Sequence, residues 1–243
     1  MRLNRFNQMR AMRLSGIFSC LLAAALVETQ SVLAQESSGA ETGVIRGKVV
    51  ISAADDVTEG IMRGRILNRY ESRGDQLEKP FEPYTLTEKA VVFIETVPGS
   101  YAPPQNHPTL DQRDMVFRPL VLPVVVGSIV DFPNSDPLFH NVFSLSEPKE
   151  FDLGRYPQGQ HRSVRFDRQG VVSVYCEIHS YMFATILVLQ NPYFAQPDQD
   201  GNFEIGGVPP GTYQLSFWFG RKKIDTKSIV VAARQITSAV FQY

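Results

Sequence analysis

The stretch 171–189, VVSVYCEIHSYMFATILVL, decides how the rest of the chain is read. Its two ends, residues 171–175 and 185–189, are short β-branched apolar runs of the kind that form strands. Between them lies Cys176-Glu177-Ile178-His179-Ser180-Tyr181-Met182, which puts a thiol, an imidazole and a thioether within seven residues. Upstream, the segment 131–142 (DFPNSDPLFHNV) supplies a second imidazole, His140. His140, Cys176, His179 and Met182 are the candidate metal ligands.

The start of the chain makes Cys176 more telling. Residues 1–34 read as an export signal: Arg2, Arg5, Arg10 and Arg13 precede the apolar run 17–27. Val32-Leu33-Ala34 then offers small residues before Gln35. The run is about half the ~20 residues that span a bilayer. Cys20 lies inside the signal, so the mature chain keeps Cys176 alone. Export leads to an oxidising compartment, periplasmic or secreted, where cysteines normally pair. A single cysteine there is a buried inert thiol, an intermolecular bridge or a metal-bound thiolate. His179 and Met182 at fixed offsets favour the last.

Two His, one Cys and a weakly held Met form the donor set of a type 1 (blue) copper centre, so one copper ion is the expected cofactor. Thiolate and thioether suit Cu(I), and imidazole suits Cu(II). Zinc is the competitor; it accepts Cys and His, but a thioether adds little for it.

Composition narrows the field. Of 243 residues, about 209 follow the signal, enough for one large or two small domains. They retain 20 basic and 24 acidic side chains, and no basic patch points to nucleic acid. After signal cleavage no run is long enough to span a membrane. The 17 glycines and 16 prolines punctuate short segments throughout, the signature of an all-β chain with many turns.

Residues 35–43 are a flexible leader, and 44–51 and 90–95 are strands. The stretch 54–89 reads as a long loop with a helical turn around 59–68, and 97–114 as a Pro-rich loop. Short strands are expected at 115–117, 120–126, 129–132, 141–145, 163–166, 171–175 and 185–189, with 151–159 (FDLGRYPQG) a Gly/Pro loop. That count and spacing predict a β-sandwich. From Asn191 the pattern is of alternating strands and tight turns over ~50 residues, too few to bury a good core alone. That C-terminal piece needs strands from elsewhere.

Residues 115–190 resemble the cupredoxin family of plastocyanin, pseudoazurin and amicyanin. The resemblance rests on Phe117-x-Pro119, Val126-Gly127-x-x-Val130-x-Phe132-x-Asn134, His140-Asn141-Val142, Phe166-x3-Gly170 and Val174-Tyr175-Cys176-x2-His179-x2-Met182. It implies a Greek-key sandwich over 96–190, with His140, Cys176 and His179 in a near-trigonal plane and Met182 axial. It also implies that the Asn141 N–H meets the Cys176 sulfur and that its amide ties down the ligand loop. The family usually has Ser or Thr after the Cys, so Glu177 leaves that tie altered or absent. Phe183-Ala184 after Met182 crowds the axial position. Leu138, Phe139, Tyr181 and Phe183 become either an electron-transfer patch or core.

Residues 191–243 are similar to the carboxypeptidase regulatory-like, transthyretin-like module, through turns at 198–201 and 208–211. The resemblance implies that strands within 44–95 are shared with it. The overall arrangement also resembles bacterial exported proteins labelled methylamine utilisation proteins, a label that establishes no substrate.

The leading expectation is therefore a one-electron carrier rather than a catalyst, with a periplasmic redox protein such as a cytochrome or dehydrogenase as partner. Copper storage or delivery, or a structural interaction module, is the alternative. Four histidines in all are too few for a trinuclear oxidase cluster beside this site. His107 and His161 read as surface histidines, and Asp198 and Asp200 as turn chemistry rather than a calcium loop.

Overall fold

Strand burial follows directly from the residue pattern in the computed structural model, which describes residues 41–52 and 84–243. The export signal, residues 35–40 of the leader and the turn expected at 59–68 lie outside the described residues. The first strand, β1 (Gly43–Val50), begins one residue before the expected position and is followed by α1 (Leu86–Lys89) and β2 (Ala90–Ile94). Next come β3 (Asp111–Arg113), β4 (Val116–Arg118), β5 (Val121–Val125), β6 (Ile129–Pro133), β7 (His140–Ser146), β8 (Lys149–Tyr156), β9 (His161–Arg165), β10 (Gly170–Tyr175) and β11 (Phe183–Leu189). The chain closes with β12 (Phe194–Ala195), β13 (Asn202–Val208), β14 (Gly211–Phe219), β15 (Lys222–Val231) and β16 (Ile236–Gln242). The fold is all-β, as expected, and is built as packed sheets. No helix among the described residues is long and apolar enough to cross a membrane.

One sandwich is built on the five-stranded sheet β5-β11-β10-β7-β8. The β6–β9 pair and the β3–β4 hairpin contribute residues to the same core, with parallel bridges from Thr109 to Asp131 and Gln112 to Asn134. Phe117, Phe132, Val142, Phe166, Val174 and Ile186 fill that core, together with Cys176 and Met182. Pro123 is tolerated in β5 because β5 is the edge of its sheet.

A second sandwich encloses another core between β13-β1-β16 and β12-β2-β14-β15. Here β1 runs antiparallel to β13 and parallel to β16, while β2 lies between β12 and β14. Both strands from the N-terminal side thus occupy central positions among C-terminal strands. Phe203, Phe217, Phe219 and Phe241 dominate the enclosed core. Each such side chain, fully buried, is worth roughly 1.5–3 kcal/mol.

The outer faces of β2 and β14 pack on those of β5 and β11, so AVVFI and FATILVL are buried on both sides. Val92 and Ile94 point into one core, and Val91 and Phe93 into the layer between the sandwiches. Likewise Ala184, Ile186 and Val188 face the first core, while Phe183, Leu187 and Leu189 face the shared layer. This is why these strands read as continuous apolar runs rather than as alternations.

Three expectations are corrected. The segment 151–159 is not simply a loop, because β8 pairs with β7 through Tyr156. Phe151 and Leu153 turn inward, and Gly154, with φ of 64°, lies in the stretch where the register slips before Tyr156 enters the core. An edge strand with one wet face needs few apolar residues, which hid it. Asp111–Arg113 forms β3 inside the Pro-rich stretch. At the end of the stretch 54–89, Leu86–Lys89 is one helical turn, nucleated by a Thr85–Glu88 capping box.

Gly47 lies where β1 crosses its neighbours. A Cβ there would overlap the Ala239 carbonyl oxygen and stand 2.6 Å from the Phe203 ring. Gly47→Ala is expected to cost about 3 kcal/mol through overpacking, read as a lower urea midpoint; an unchanged midpoint would show that β1 does not need this close approach.

Candidate metal centre

Three elements deliver the candidate ligands. His140 opens β7, Cys176 follows the last residue of β10, and Met182 precedes the first residue of β11. The β10–β11 ladder pairs Tyr175 with Phe183, so Cys176 and Met182 leave the ladder side by side. Residues 176–182 form a tight loop, closed by Cys176 N–H to Met182 O at 3.3 Å and Met182 N–H to His179 O at 2.9 Å. His140 and Met182 are fully buried and Cys176 nearly so, while His179 is half-buried.

The ligand atoms converge. Nδ1 of His140 and Nδ1 of His179 are 3.0 Å apart, and Cys176 Sγ lies 4.0 and 3.8 Å from them. Among the described residues this is the one group of three His, Cys, Asp or Glu ligand atoms so gathered. The triangle is acute, and the point equidistant from its corners lies inside it, about 2.1 Å from each atom, the length of a first-row metal–imidazole bond. Met182 belongs to the same buried cluster as Cys176.

The surrounding hydrogen bonds orient the donors. His140 Nε2 stands 2.8 Å from Asp136 Oδ2, a buried carboxylate that can only accept. In the neutral ring the proton therefore sits on Nε2, and Nδ1 offers its lone pair to the centre. Burial pushes the Cys176 thiol up. A hydrogen bond with His140 and backbone N–H groups of Asn141, His179 and Ile178 outweigh it and leave the thiol below its usual range. Burial disfavours the charged His140 ring, but Cys176 and Asp136 overcome this and raise its pKa. Burial and the neighbouring His140 push His179 down. Such a pocket favours the thiolate, the form of cysteine that binds metal.

Asn141 holds the loop, though not in the expected way. Its Oδ1 accepts from the Glu177 backbone N–H at 3.2 Å, and its Nδ2 donates to Asp152 at 2.7 Å. The tie survives the absence of a hydroxyl because a backbone donor replaces it. The Glu177 carboxylate turns outward to Arg155 at 3.3 Å. Of the two readings of Phe183 the core one holds, and the patch loses it. Phe183 is buried and faces the layer between the sandwiches, away from the core that holds Met182, with Arg221 stacked 3.6 Å above its ring. Leu138 and Phe139 are exposed, 44% and 58%, and Tyr181 is half-buried with its ring 5.9 Å from that of His179.

Asp136 and Asp152 escaped the reading of the sequence. A carboxylate four residues before a ligand histidine was the available signal for Asp136. His107 pairs with Asp131 at 3.1 Å, apart from the cluster. Asp198 accepts the backbone N–H groups of Asp200 and Asn202, as a turn residue does.

A family model, polysaccharide lyase family 4, domain II, matches residues 183–239, less than half of the chain. No curated protein matches. Among solved structures, a copper-containing nitrite reductase from Thermus scotoductus SA-01 is 24% identical, covering 40% of this chain and 25% of its own, with a TM-score of 0.35. A purple cupredoxin from Nitrosopumilus maritimus is 22% identical over 33% of this chain and 98% of its own, with a TM-score of 0.31. A reduced amicyanin variant is 22% identical over 41% and 98%, with a TM-score of 0.33. The chain thus spans about a quarter of the nitrite reductase. Likenesses this weak carry no argument, and the centre is read from its own geometry.

Asn141→Ala would leave the Glu177 N–H and the Asp152 carboxylate without their partner. The expected cost is about 2 kcal/mol of stability, with faster amide exchange at residues 176–182. Wild-type exchange in that loop would remove Asn141 as its tie.

Proposed function

We propose that this chain is an exported type 1 copper protein that carries single electrons. The observation that carries the reading is the acute triangle of two imidazole nitrogens and one sulfur around a point about 2.1 Å from each. Two bare nitrogens 3.0 Å apart beside a thiolate repel unless a proton or a cation lies between them. The donor set fits copper, with His140, Cys176 and His179 as the strong ligands and Met182 as the weak one. Bound copper would take up and release one electron.

The protein's own part is to keep the donors fixed in both oxidation states. His140 is held by Asp136, the ligand loop by Asn141, and Met182 by the core. The half-buried His179, next to Tyr181, with Leu138 and Phe139 exposed on the segment leading to His140, supports an apolar docking face for a redox partner such as a cytochrome or dehydrogenase. The transthyretin-like reading of the C-terminal strands is part of the same proposal. It is supported by their sheet order with β1 and β2, and its role is to brace the copper sandwich through the shared apolar layer.

Copper analysis and an optical spectrum of the protein isolated after export test the proposal. An intense visible thiolate-to-Cu(II) band is expected. Cys176→Ser should abolish it, and Met182→Leu should keep the colour while shifting the reduction potential. Protein that stays colourless after Cu(II) addition and oxidation would reject the type 1 centre, and protein that keeps Cu(I) and stays colourless under oxidant would favour storage or delivery.

A further inference from the structure

The β3–β4 hairpin turns through Asp114 and Met115, whose φ angles are 57° and 59°. Both lie in the left-handed region that two-residue hairpins require, usually filled by Asn-Gly or Asp-Gly. A methionine there is disfavoured unless its surroundings hold it. The holder is visible. The N–H groups of Asp114 and Met115 donate to the two oxygens of Asp136 at 2.7 and 2.9 Å.

The same carboxylate receives His140 Nε2. It therefore faces three N–H groups, and none of its protein partners supplies an acceptor. The Asp136 backbone N–H is fixed in turn by Asn134 Oδ1 at 3.0 Å, and Asn134 Nδ2 donates to Leu138 O at 2.8 Å and Tyr156 O at 3.0 Å. On the far side of the turn, Met115 Sδ accepts from the Tyr181 hydroxyl at 3.7 Å, and Tyr181 lies beside His179. One strained turn thus reaches the surroundings of both histidines.

We propose that Asp136 is a positioning residue that locks the tautomer and orientation of His140, and that the left-handed Asp114–Met115 turn holds Asp136 in place. The proposal rests on the reading of His140, Cys176 and His179 as a metal centre. A glycine turn would form this hairpin without help, whereas Asp114–Met115 needs the carboxylate. Hairpin geometry and imidazole orientation are consequently held by one group and lost together.

Asp136→Ala is the discriminating change. It removes both oxygens and leaves all three N–H groups without this acceptor, whereas a carboxamide could keep its oxygen on Met115 and His140 and oppose only Asp114. The test is a two-bond 15N–1H spectrum of the metal-free protein at a pH where the rings are neutral, paired with Cu(II) affinity measured against a competing chelator. Wild-type His140 should carry its proton on Nε2. In Asp136→Ala the proton should shift toward Nδ1, and Cu(II) affinity should fall by about 10- to 100-fold, the usual effect of losing a histidine-orienting partner. Wild-type His140 protonated on Nδ1 would overturn the proposal, and so would a variant that keeps both tautomer and affinity. The wild-type spectrum decides the point alone should the variant not fold. Nε2 protonation in a wild-type protein that takes no copper would uphold the positioning role and sink the metal reading instead.

Discussion

The antiparallel ladder between β10 and β11 is the constraint from which the rest follows. Pairing Tyr175 with Phe183 fixes where the loop 176–182 leaves the sheet, and so sets Cys176 and Met182 facing one core. A slip of one residue would send every side chain of β11 to the opposite face. It would expel the thioether from the core and also bury the wrong residues against the second sandwich. Burial on both faces of β11 forbids that slip, so the packing that joins the sandwiches also protects the ligand geometry.

The polar groups of the centre obey the same economy. A buried carboxylate is costly unless its lone pairs are met, and Asp136 meets two backbone N–H groups and an imidazole. A buried amide is costly for the same reason, and Asn141 spends its oxygen on the ligand loop and its nitrogen on β8. Neither group is there for stability alone, because apolar replacements would cost less to bury. What they supply is direction, holding Nδ1 of His140 and the loop toward one point.

Legibility in the sequence tracked how local each signal was. Continuous apolar runs announced β2, β5 and β11, and the Cys-x2-His-x2-Met spacing announced the ligand loop. The strand β8 was missed because an edge strand with one solvated face has little apolar pattern. Phe183 stayed open between patch and core because adjacency in sequence to a candidate ligand says nothing of which face of a strand a side chain takes. Glu177 appeared to break the clamp because side chains are readable in a sequence and backbone donors are not.

By itself, then, the sequence determined an all-β chain, a set of candidate metal donors and the need of the C-terminal strands for partners. These depend on residue type and short spacing, which the chain carries locally. Only the tertiary structure decided that β1 and β2 fill central places in the second sandwich, that Asp136 meets a strained turn and His140 together, and that three donor atoms fall within 4.8 Å of one another. Those facts join residues as far apart in sequence as Val44 and Ile236, paired across β1 and β16, and no local pattern records a contact made by the closing of sheets.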